Sequence, residues 1–67
     1  MHEATDLIER LLTAAGMIME DAAAVALVRS EQPIEARLHQ VGQAAQDVTR
    51  LTEVAELLHR RWLDAQA

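Results

Sequence analysis

Apolar residues recur along this chain with the spacing of a helix face, in two long runs separated by one break. In the first run Ala4, Ile8, Leu11, Ala15, Ile18, Ala22 and Val25 follow alternating steps of four and three. In the second, Val41, Ala44, Val48, Leu51, Ala55, Leu58, Trp62 and Ala65 do the same, with Ile34 and Leu38 leading in. Such steps hold successive side chains on one stripe of an α-helix, the seam spacing of antiparallel coiled-coil packing. Strong helix formers fill both runs. The one convincing interruption is Arg29-Ser30-Glu31-Gln32-Pro33. Ser30 is placed to cap, and Pro33 suits the first turn of the following helix, where an N–H would be unpaired in any case. The pattern predicts an all-α antiparallel hairpin, a single domain over residues 1–67. Its two long helices are expected over about residues 3–29 and 33–65. A break at Gly42 would give three helices instead, but the apolar rhythm crosses Gly42 without a change of phase.

The two seams also match each other. Folding the chain about Glu31 sets Ile8 against Ala55, Leu11 against Leu51 and Ala15 against Val48. Further along, Ile18 meets Ala44, Ala22 meets Val41 and Val25 meets Leu38. Large side chains mostly face small ones, as a close-packed layer requires.

A second apolar line remains on each helix after the seam is used. Leu12, Gly16, Met19, Ala23 and Ala26 form it on the first helix, and Leu38, Gly42, Ala45, Thr49 and Thr52 on the second. In an antiparallel pair these lines lie on the same side. Glycine inside a helix costs about 1 kcal/mol relative to alanine, so both glycines fit a face that another helix approaches closely. The opposite side is mixed, with Leu7, Ala14, Asp21 and Val28 against Gln40, Asp47, Val54 and Arg61. Leu57 and Leu63 also lie off the main seam. This apolar surface is wider than a two-helix contact covers. The expected completion is a two-fold homodimer, a four-helix bundle with the ten residues of the second line at its interface. A monomer that folds this face inward, or a different partner chain, would be the alternatives.

Composition narrows the setting. A chain of 67 residues buries only about 60% of its unfolded surface, and folds this small usually need a disulfide, a metal or a partner. There is no cysteine, which excludes disulfides and thiolate sites and suits a reducing cytoplasm. Ala22–Val28 is the longest unbroken apolar stretch, far below the roughly 18 residues of a membrane span. The stretch Met1-His2-Glu3-Ala4-Thr5-Asp6 lacks the basic start and apolar core of a signal peptide. Net charge is −5 and lysine is absent, so nucleic acid is not an expected partner. Arginine in place of all lysine, with abundant alanine, fits a GC-rich bacterial genome. Trp62 is the sole aromatic residue apart from the histidines, which leaves no base-stacking surface.

Candidate chemistry is sparse. With no cysteine, one serine in the turn, and no glycine-rich loop after a strand, nucleophilic and phosphate-cradling arrangements find no support. No enzyme activity and no cofactor are expected. One metal reading remains. Glu56-Leu57-Leu58-His59 is a Glu-x-x-His step, and Glu9, with His2 beyond it, lies on the facing line of the first helix. A two-fold dimer would then supply a Glu from each of two helices and a Glu-x-x-His pair from each of the other two. Carboxylates with imidazole suit iron, manganese or zinc. Against this, Glu56 can pair with Arg60 at i, i+4 on the surface. Glu35 and His39 form another such pair on a face expected to be solvated.

Other residues have ordinary explanations. Trp62 is expected to seal the open end of the seam opposite Met1, or else to serve as an exposed anchor. Met19 belongs to the interface line, while Met17 is expected to be exposed. Glu20-Asp21 keeps the outer face soluble, and Arg60-Arg61 complements the dipole near the end of the second helix. The sequence therefore predicts a small non-enzymatic interaction or regulatory module acting as a homodimer. A carboxylate–histidine metal bundle, or an obligate, chaperone-type hairpin that binds a different protein, would be the alternatives.

Overall fold

A computed structural model of the chain describes residues 3–27 and 31–66. It contains two helices, α1 (Glu3–Leu27) and α2 (Ile34–Gln66), packed against each other as a hairpin. The hairpin measures 53 × 16 × 11 Å, the length expected for a 33-residue helix at about 1.5 Å per residue. Glu3 and Asp6 stand in the first turn of α1, where carboxylates favour the positive end of the helix dipole. Pro33 stands one residue ahead of α2, and its carbonyl accepts the Arg37 backbone N–H at 3.2 Å. Pro33 thus opens the helix from the N-cap position, where its own missing N–H costs nothing. Ser30, the expected cap, and Val28 and Arg29, the expected end of the first helix, lie outside the described residues, as do Met1 and His2.

α2 runs unbroken through Gly42, and the three-helix alternative is not what forms. No helix among the described residues is long and apolar enough to cross a membrane.

Burial follows the seam. Every α1 seam residue from Ala4 to Val25, and every α2 seam residue from Val41 to Trp62, is buried or half-buried. Only Ala15 and Ala55, at 4% and 6% exposed, are fully inside, and no large side chain is fully buried among the described residues. The reason is geometric: a two-helix contact covers one line of each helix and leaves both flanks of every seam residue open. At the far end Ala65 is exposed.

At the turn end the structure corrects one expectation. Leu38, expected opposite Val25 on the seam, is 66% exposed, and Ile34 is exposed as well. The seam position is taken by Arg37, which is half-buried. Its Nε donates to the Val25 carbonyl at 3.2 Å and its Nη2 to the Ala26 carbonyl at 2.9 Å. Strict four–three stepping back from Ala44 and Val41 reaches Arg37 and Ile34, so Leu38 falls one position round the helix, on the second apolar line. The numbers of residues facing each other across the hairpin add to 62 or 63 at this clasp. The same sum holds for all six seam pairs inferred from the sequence.

Candidate interaction face

The second apolar line forms one side of the hairpin. On it Leu12 and Met19 are 55% and 53% exposed, and Leu38 more so. Gly16 is half-buried and Gly42 exposed. A Cβ built at either glycine would meet nothing within 4 Å. The hairpin itself therefore has no steric need for glycine there, and open space lies above both positions. Thr49 and Thr52 donate their hydroxyls to the carbonyls of Ala45 and Val48 at 3.0 and 2.8 Å. With these donors satisfied inside their own helix, the two threonines bring no unmet hydrogen-bonding group to the face.

Between the helices, in the half nearer the turn, this face carries a groove of about 380 Å³. Ala22, Ala23 and Ala26 of α1 form one wall and Val41, Ala44 and Ala45 of α2 the other, with Met19 and Val48 completing it. The structure thus gathers four of the ten expected interface residues, Met19, Ala23, Ala26 and Ala45, around one apolar hollow. It is small-residue-lined because alanine occupies both the seam and the adjoining line over this stretch of α1.

The remaining surface is different in kind. Leu7, Val54, Leu57 and Leu63 are partly exposed, but the hollows beside Val54 and Leu57 are lined by Arg50, Glu53, Arg60, Arg61 and Asp64. Arg50 pairs with Asp47 at 3.6 Å on the open surface, a contact worth little in water. Met17 is exposed, as expected, and so are Glu20, Asp21, Arg60 and Arg61.

The metal-type residues are not brought together within one chain. Glu9 lies exposed on α1 in a hollow shared with Asp6, Arg10 and Thr13, and Glu56 on α2 beside Glu53 and Arg60. The His59 ring stacks on the Trp62 ring, with centroids 6.4 Å apart and planes 12° from parallel. All three ligand-type residues are exposed. Among the described residues no group of three His, Cys, Asp or Glu is placed to hold a metal ion. The expected cluster draws on two hairpins, and His2 lies outside the described residues. Glu35 and His39 are both exposed. Trp62 is half-buried at the open end of the seam, while Met1, its expected cover, lies outside the described residues.

Sequence reasoning missed Arg37. The signal was present in the rhythm itself, which passes through residue 37 and not 38. An arginine at a seam position is readable as a polar clasp only when the last carbonyls of the facing helix are known to end beside it.

Comparison with protein-family models, with curated proteins and with solved structures finds no match to this chain.

Proposed function

We propose that this chain is a small, non-enzymatic helical interaction module that acts as a homodimer, two hairpins completing one four-helix bundle through the small-residue face. One observation carries the reading. Among the described residues the hairpin encloses only Ala15 and Ala55, while a continuous line of apolar and small residues lies open beside its seam. The total exposed area supports it. The chain presents 5505 Å², whereas a compact monomer of 7.4 kDa presents about 4200 Å². The surplus exceeds the roughly 800 Å² that each partner gives to a standard interface. A fold of this size without disulfides gains its missing core most simply from a second chain. The absence of cysteine supports a reducing, cytoplasmic setting.

The experiment is the absolute mass of the purified protein by light scattering after size exclusion, with and without chelator. A dimer in both conditions is expected. A cooperatively folded monomer would overturn the homodimer, and an unfolded monomer would favour an obligate subunit of a different chain. A dimer that dissociates on chelation would replace this reading with the carboxylate–histidine bundle of Glu9, Glu56 and His59.

A further inference from the structure

We infer that the second copy docks with its turn at the same end as the first, so that α1 of each hairpin lies along α2 of the other. This rests on the homodimer reading and adds its direction. The clasp register fixes which residues lie level: a residue of α2 stands opposite the α1 residue whose number completes a sum of 62 or 63. A two-fold axis parallel to the hairpin brings level positions of the two copies together. Leu38 of one copy then falls between Ala23 and Ala26 of the other. Met19 falls between Gly42 and Ala45, and Leu12 between Thr49 and Thr52. Each of the three large, exposed side chains of the face meets a pair of small ones, the interleaving that close helix packing requires. The apolar grooves near the two turns face each other.

Polarity along the face points the same way. The turn half is apolar, with Met19, Ala23, Ala26, Leu38, Gly42 and Ala45. The open half carries Glu9, Glu56 and His59, all exposed. Docking with turns together covers the apolar half with its own kind and gathers the charged residues at the open end of the bundle, where Glu9 of one copy comes level with Thr52 and Glu56 of the other beside water. Docking with turns at opposite ends over the full length of the hairpins, centred between Met17 and Ile18 of α1 and on Ala45 of α2, lays Glu9 over Ala26 and Glu56 over Ile34, whereas centring it on the apolar half leaves most of each hairpin uncovered. Covering carboxylates with apolar side chains, without hydrogen-bond partners, is costly.

The test uses the cysteine-free chain with one nitroxide label, either at Glu31→Cys beside the turn or at Asp64→Cys at the open end, both exposed positions. Circular dichroism checks that each labelled variant keeps its helicity. Pulsed dipolar spectroscopy then reads the label-to-label distance in the dimer. Helices spaced 8–10 Å apart give a distance below about 30 Å from both sites when turns lie together. A distance beyond about 40 Å from the Asp64→Cys label, whatever the Glu31→Cys label reads, would by the rise of about 1.5 Å per residue place the turns at opposite ends and overturn the arrangement while keeping the dimer. No dipolar coupling from either site in a helical sample would overturn the homodimer itself.

Discussion

The Arg37 side chain of α2 caps α1: its Nη2 donates to the Ala26 carbonyl at 2.9 Å, and its Nε reaches the carbonyl of Val25. The last carbonyls of a helix have no partner within that helix, and the final turn of α1 has no basic residue of its own. A cation from the facing helix supplies both the donors and the charge that the negative end of the dipole favours. The same contact ties the turn end of the seam in the alignment that the pairing of large and small seam residues gives.

Removing the clasp should therefore cost more than an exposed arginine normally does. Arg37→Met is expected to lower the unfolding free energy by about 1–2 kcal/mol, since two charge-assisted hydrogen bonds are lost and the carbonyls return to water. Arg37→Lys should fall between, keeping the charge without the fork. Urea denaturation followed by circular dichroism reads both. A variant as stable as the parent would mean that the clasp contributes nothing to the hairpin.

Ala15 and Ala55 should be the least tolerant of added volume. They are the two buried residues among those described, at 4% and 6% exposed, and a larger side chain must push the helices apart. Ala15→Leu or Ala55→Leu is expected to destabilise by about 1–3 kcal/mol. Ala24→Leu, on an exposed position of the same helix, serves as the control and should leave the thermal midpoint nearly unchanged. If Ala15→Leu melted at or above the parent temperature, the seam would not be the close-packed layer described.

How far the sequence could be read depends on what each feature obeys. Periodicity reports one helix at a time, and the seam from Ala4 to Val25 and from Val41 to Trp62 was legible because burial there repeats every three or four residues. The register was legible because Ala15, Ala22, Ala44 and Ala55 stand where large residues face them. Leu38 was misread, since hydrophobicity alone favours a leucine over an arginine one position earlier. Only the end of α1 beside it reveals why Arg37 takes the seam. Glu9, Glu56 and His59 illustrate the opposite limit. Spacing puts Glu56 and His59 on one helix, but whether they meet Glu9 depends on a second chain, which no pattern within one chain encodes.

Metal dependence separates the two readings of that open end. For the interaction module, the thermal midpoint of the dimer is expected to stay the same on adding Zn(II), Mn(II) or Fe(II), because Glu9, Glu56 and His59 are exposed and no group of three such residues in the described part of the hairpin is placed to hold a metal. Differential scanning calorimetry at fixed protein concentration makes the comparison. An upward shift that vanishes in both Glu56→Gln and His59→Ala would instead assign the end of the bundle to metal binding, by the mass-action stabilisation any native-state ligand brings.

The face itself is tested most directly at its glycines and at Ala23. In an isolated hairpin, Gly42→Ala should stabilise by about 1 kcal/mol, because alanine is the better helix former and the added methyl meets nothing within 4 Å. Where a second copy approaches at that point, the same methyl intrudes on the helix opposite, and the dissociation constant of the dimer should rise despite the gain in helix propensity. Ala23→Arg goes further by placing an unpaired charge at the centre of the apolar half, and is expected to yield monomers by sedimentation equilibrium. Leu57→Arg, on the side lined by Arg60, Arg61 and Asp64, should remain dimeric. If the Ala23 variant stays dimeric while the Leu57 variant dissociates, the interface lies on the charged side and the small-residue face is free.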